Sequence, residues 1–158
     1  MVSAPLQKLL IAQIGNELAA HQLYLGIALY FERQSLDRWG KLFAAQSVEE
    51  AQHARKIMDF LTDSEVEFDL PALKATTTRY ESAGAAARRA LKSERDVTAQ
   101  FDAMTAAALQ AGDHRSHQFL QWFVEEQVEE EAKLQAIVDL IDSGINLFQA
   151  EALLERFE

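Results

Sequence analysis

Apolar residues recur along most of the chain in alternating steps of three and four, the spacing that keeps side chains on one face of an α-helix. The first such run extends from about Pro5, a residue suited to a first helical turn, to about Gln34. Its inward face reads Leu6, Leu10, Gln13, Glu17, Ala20, Tyr24, Ile27 and Phe31. A short connection, Ser35 to Arg38, leads into a second run from Trp39 to Ser64, whose face is Leu42, Gln46, Glu50, His53, Ile57 and Phe60. So short a link predicts that these helices pack antiparallel. From Glu65 to Ser82 the pattern changes: Val66, Phe68, Leu70, Pro71 and the Thr76-Thr77-Thr78 run suit extended chain. A stretch this long without a helix predicts a crossover along the bundle, which sets the third helix parallel to the second. That helix spans about Ala83 to Ala111 with Ala87, Leu91, Glu94, Thr98, Phe101 and Thr105 inward, and Gly112 closes it. Asp113 is placed to cap the fourth helix, which carries Leu120, Phe123, Gln127, Glu130, Leu134, Ile137 and Ile141 and ends at Ser143-Gly144. Asn146 then caps a short tail helix with Leu147, Ala150, Leu153, Leu154 and Phe157 on its apolar side. The expected fold is all-α: an antiparallel four-helix bundle with a long crossover between helices two and three and a short fifth helix, forming a single domain over 1–158.

Each inward stripe is broken by charged or polar residues: Glu17, then Glu50 with His53, then Glu94, then Gln127 with Glu130. A buried carboxylate without compensation costs several kcal/mol. A divalent cation offsets that cost, and Glu-x-x-His is a usual ligand spacing on bundle helices. Glu50-x-x-His53 alone also suits a solvated helix edge. The decision comes from the levels: at about 1.5 Å rise per residue, with helices two and three parallel, all the interruptions fall within about one or two turns of each other. That coincidence predicts a metal centre inside the bundle.

The composition agrees. The chain has 158 residues, 49% hydrophobic, with only 6 Gly and 2 Pro, a helix-forming balance in a single-domain length. It has no Cys, which excludes disulfides, thiolate zinc sites and iron–sulfur clusters. No signal-like leader and no membrane-spanning run is visible, so a cytoplasmic protein is expected. The formal net charge of −10 repels nucleic acid and anionic lipid and attracts cations; no nucleic-acid or membrane partner is expected.

Carboxylates with one imidazole and no sulfur favour iron or manganese over copper or structural zinc. Glu50 is best placed to bridge two ions, with Glu17 and His53 on one and Glu94 and Glu130 on the other. The second ion then lacks an imidazole and has only Gln127 nearby, a weaker site suited to ions in passage. Glu49, Glu126 and Glu129 each precede a stripe position and share an edge rotated about 100° from the core face. They form either a further ion site or a solvated acidic edge.

The quoted residues resemble the non-haem bacterial ferritins over essentially the whole chain. The matching pieces are Asn16-Glu17-Leu18, Tyr24, Glu49-Glu50-x-x-His53, Glu94 and the run from Gln121 to Glu130. The resemblance implies a homo-oligomeric shell of twenty-four subunits that oxidises Fe(II) with O2 or H2O2 at a di-iron ferroxidase centre and stores the ferric mineral inside. It implies Glu17, Glu50 and His53 at one iron, Glu50, Glu94 and Glu130 at the second, and Gln127 near the oxidant. It further implies Glu49, Glu126 and Glu129 at a third iron, with Glu130 shared, and Tyr24 as an electron donor. Haem-binding relatives place a methionine after the bridging glutamate and a second Glu-x-x-His on helix four. Here those positions are Ala51 and Gln127-x-x-Glu130, so no haem is expected. The acidic pair lining the threefold channel of animal ferritins corresponds to His117 and Leu120, and two acidic nucleation positions to Gln52 and Arg55. Trp122 is read as packing, and His21, His114 and His117 as surface or interface residues. The tail's apolar side is expected to lie bare on a lone bundle and to be buried between subunits.

Overall fold

The computed structural model describes all residues, 1–158. Four long helices, α1 (Ala4–Glu32), α2 (Asp37–Asp63), α3 (Ala83–Gln110) and α4 (His114–Asp142), form the bundle. A single turn, α5 (Leu147–Ala150), runs directly into a 3₁₀ stretch, Glu151–Phe157. The expected all-α bundle with crossover and short tail is the fold observed.

The helix ends follow from local chemistry. Ser82 accepts from the Ala85 N–H, Asp113 from Ser116, and Asn146 from both Phe148 and Gln149, so the exposed N–H groups of three helix starts are satisfied by side-chain oxygens. Gly112 and Gly144 take φ of +63° and +79° just beyond α3 and α4, a conformation that favours glycine.

The core divides into two apolar clusters. One joins the end of α1 (Ile27, Phe31), the start of α2 (Trp39, Leu42), the start of α3 (Ala86, Leu91) and the end of α4 (Leu134, Ile137). The other joins the start of α1 (Leu6, Leu10), the end of α2 (Ile57, Leu61), the end of α3 (Phe101, Met104) and the start of α4 (Leu120, Phe123). Helices α2 and α3 are therefore parallel, and α1 and α4 run against them. Between the clusters lies a polar layer.

The crossover climbs the outside of α1, and two glycines make room for it. A Cβ on Gly15 would stand 2.8 Å from Pro71 Cγ, and one on Gly26 would stand 2.3 Å from the Thr77 carbonyl oxygen. Arg33 then donates to the Thr78 hydroxyl at 2.7 Å. This path returns the chain to the end of the bundle where α2 began.

The tail departs from expectation. Ala150, Leu154 and Phe157 are buried in the chain's own first cluster, because the tail folds back onto α2. Trp39 Nε1 donates to the Leu147 carbonyl at 2.9 Å, and the Arg38 N–H donates to Glu151 at 3.0 Å. In a 3₁₀ helix residues three apart share a side, which turns Leu154 and Phe157 inward together. Of the expected apolar side only Leu153 stays exposed, with Leu147 half-buried, so that face is no independent argument for a shell. No helix is long and apolar enough to cross a membrane.

Replacing Gly26 with Ala drives a methyl group into the Thr77 carbonyl and should destabilise the protein by about 1–3 kcal/mol. Thermal unfolding of the variant checks this; an unchanged midpoint contradicts the close packing of the crossover on α1.

Candidate metal centre

The polar layer holds four buried carboxylates, Glu17, Glu50, Glu94 and Glu130, with His53 and Gln127. Each helix contributes from its inward stripe, so the geometry is built by the backbone and not by a loop. Carboxylate or imidazole atoms of Glu17, Glu50 and His53 lie within 4.8 Å of one another, and so do those of Glu50, Glu94 and Glu130. Glu50 belongs to both groups. His53 Nδ1 is 3.3 Å from Glu50 Oε2 and 3.8 Å from Glu17 Oε2.

A third group of the same compactness is Glu49, Glu126 and Glu130. Glu129 stands outside it, exposed on the helix surface, although it lines the same open pocket of about 1010 Å³. Glu130, four residues beyond Glu126 and turned inward where Glu129 is exposed, completes the group instead.

Other polar residues brace the carboxylates. Tyr24 OH donates to Glu94 Oε1. Gln127 Nε2 donates to the Glu94 carbonyl and to Glu94 Oε2, both at 3.1 Å, so its amide nitrogen faces Glu94. Gln13 Nε2 donates to Glu17 Oε1 at 2.8 Å. Gln46 Nε2 reaches both Glu50 Oε1 (3.1 Å) and Glu130 Oε2 (2.7 Å), while its own oxygen accepts from Lys133 Nζ at 2.8 Å. The sequence reading gave Gln13, Gln46 and Lys133 no role. A signal was there: Gln13 and Gln46 occupy stripe positions one turn before Glu17 and Glu50. Lys133 carried none, because a single lysine on a charged helix face is ordinary.

Of three further residues, His21 departs from expectation, while Leu120 lies inward and Trp122 packs as expected. His21 is half-buried and bonds the fully buried Ser47 (Nδ1 to Oγ, 2.7 Å); it ties α1 to α2 close to the polar layer instead of lying on the surface. Leu120 is fully buried in the second cluster, so it faces no channel. Trp122 is 38% exposed and stands edge-on to His53, with ring centres 5.4 Å apart.

Electrostatics shows what the cluster lacks. Burial, followed by the charge of Glu50, holds the Glu17 carboxyl well above its ordinary range. The same two causes raise Glu94 to about 7, and burial with the Glu94 charge raises Glu130 to about 9. Burial also pushes the Tyr24 phenol well up, with the neighbouring carboxylates adding to the effect. Glu50 moves the other way: burial opposes its ionisation, but the hydrogen bond and charge of His53 outweigh burial and lower it. His53 is raised in turn, because Glu50 outweighs the burial that disfavours its charge.

Glu17 Oε2 is buried without any hydrogen-bond partner, a loss of about 1–3 kcal/mol for an ordinary polar atom. It faces the group it shares with Glu50 and His53. Two divalent cations would neutralise the four carboxylates, give Glu17 Oε2 a partner and leave His53 neutral as a ligand. The residues fit iron or manganese on donor type.

In the metal-free protein the raised carboxyls set a pH dependence. Their stabilising contribution is complete below their ordinary value of 4.5 and is lost as pH rises through about 7 for Glu94 and about 9 for Glu130. Metal-free protein should therefore lose on the order of a few kcal/mol between pH 5 and pH 9 from these groups, and Glu130→Gln should flatten the fall. Thermal melts in chelator across that range check this; a wild-type profile as flat as the variant's contradicts it.

Residues 7–143 match the family model described as the Ferritin-like domain. The chain is 37% identical over 145 residues to ferritin BfrB of Mycolicibacterium smegmatis, covering 91% of this chain and 80% of that protein. It is 30% identical to the bacterial non-heme ferritin of Campylobacter jejuni, over 99% of this chain and 96% of the relative. An open-pore ferritin from the hyperthermophilic archaeon Archaeoglobus fulgidus superposes with a TM-score of 0.93 at 30% identity, covering 99% of this chain and 98% of that one. With the bundle, the crossover and the family model in agreement, the chain belongs to the ferritin family.

Proposed function

We propose that this protein stores iron: it oxidises Fe(II) at the paired site within each subunit and holds the ferric oxyhydroxide inside a cytoplasmic shell of twenty-four copies. The observation that carries the reading is Glu50, shared by two buried ligand groups on facing helices. A carboxylate in that position brings two ferrous ions close enough to give two electrons to one dioxygen, which takes up two protons and leaves as hydrogen peroxide. Hydrogen peroxide can itself serve as oxidant. Glu17, Glu50 and His53 bind one ion, and Glu50, Glu94 and Glu130 bind the other. Protons held on Glu94 and Glu130 leave as the cations arrive.

The phenol of Tyr24, hydrogen-bonded to Glu94, is the nearby electron donor: when it and a third ferrous ion each add one electron to the two from the pair, dioxygen takes up four protons and leaves as two waters. Gln127 fixes Glu94 and lies toward the oxidant. Glu49 and Glu126, with Glu130 common to both groups, receive iron on its way to the mineral, and Glu129 at the same pocket wall adds negative charge. The apolar clusters close the polar layer at its two ends, and its flank borders the open pocket lined by His53 and Glu130, by which iron reaches the pair. No haem site is proposed.

Aerobic loading with ferrous iron, followed by size exclusion with iron and protein read in the same fractions, tests the function. Iron far above about two or three per subunit in a large-shell peak is expected. Iron that stops at that ratio overturns storage and points to a di-iron enzyme. Glu50→Ala should assemble normally and slow initial oxidation on the order of 100-fold; full-speed oxidation by this variant overturns the site.

A further inference from the structure

Lys133 reaches into the centre from outside the set of metal-binding residues. An ammonium has only donors, so the atom of Gln46 facing Lys133 Nζ at 2.8 Å is the amide oxygen. The amide nitrogen must then point at Glu50 Oε1 and Glu130 Oε2, and both of its hydrogens are used. Gln46 is buried, and Lys133 is half-buried at the wall of the open pocket. One side chain thus links carboxylates from α2 and α4 and fixes which oxygens they turn to a metal.

The two ligand groups consequently differ. In Glu17, Glu50 and His53, one carboxylate oxygen of Glu17 has no partner at all. The Gln46 bond to Glu50 bears on both groups, but in the second, Glu50, Glu94 and Glu130, Gln46 also occupies Glu130 Oε2 while Tyr24 and Gln127 occupy both oxygens of Glu94. A lone pair committed to a hydrogen bond is a poorer metal donor. Lys133 Nζ stands against Gln46 on the side of that group, and a positive charge there repels a cation. Glu130 also belongs to the group with Glu49 and Glu126 in the pocket that Lys133 lines, so an ion leaving the inner group has its next ligands within reach.

Building on the paired-site reading, we propose that Gln46 and Lys133 are positioning residues that hold the affinity of the Glu50/Glu94/Glu130 site below that of the Glu17/Glu50/His53 site. Ions at the second site are thereby passed on toward Glu49 and Glu126 instead of being retained.

The test uses the assembled, metal-free protein titrated anaerobically with Co(II), followed by calorimetry and by the visible absorption of the bound ion. Wild type should show two inner steps of unequal affinity. Lys133→Met, and Lys133→Gln, which keeps a donor for Gln46 without the charge, should tighten the weaker step about ten-fold and leave the stronger within about two-fold. Lys133→Arg should behave as wild type. Lys133 is at the pocket wall and not in the core, so these variants should assemble, which size exclusion verifies. If both neutral variants leave the weaker step unchanged, weaken it, or tighten both steps equally, the positioning role is overturned. If wild type shows no pair of inner Co(II) steps, the paired-site reading itself fails.

Discussion

Burying four carboxylates in the middle of one helical bundle is the constraint on which the rest of this structure depends. Without a cation such a layer repels itself: burial and the neighbouring charges raise Glu17, Glu94 and Glu130, while His53 lowers Glu50. A hydrophobic layer of the same shape would be at least as stable. The arrangement makes physical sense as a receptacle for positive charge, and Glu17 Oε2 lies buried in it without a hydrogen-bond partner.

Bringing one stripe from each helix to a single level requires the right connectivity. With short links throughout, α2 and α3 would run antiparallel and the interruptions on α3 would fall elsewhere. The crossover prevents this by climbing α1 past Gly15 and Gly26, so that Glu50 and Glu94 meet from parallel helices. The two apolar clusters then fix the polar layer from above and below. Stacked rings at either side, Phe31 on Phe43 and Phe101 on Phe123, leave the flanks little freedom to adjust.

Much of this was legible in the sequence, because stripe position and helix level are one-dimensional quantities. The three–four alternation placed Glu17, Glu50, His53, Glu94, Gln127 and Glu130 inward, and the unhelical stretch from Glu65 to Ser82 implied the crossover. What escaped depends on rotation and on contacts between helices. Gln46 stood in the stripe as a plain polar residue, and only the facing helix shows that it links Glu50 to Glu130 under Lys133. His21 read as surface because its partner, Ser47, is on another helix. The tail read as bare because what its apolar side packs against is a contact between distant segments: it folds back onto α2, with Leu154 and Phe157 in the chain's own core.

The central claim is that two ions sit side by side within one subunit, joined by Glu50. The most direct measurement is a crystal structure of the assembled protein soaked anaerobically with Fe(II), with iron located by its anomalous scattering. The account predicts two peaks inside the bundle, one among Glu17, Glu50 and His53 and the other among Glu50, Glu94 and Glu130. Iron confined to the surface carboxylates, with the polar layer free of anomalous signal, would contradict it.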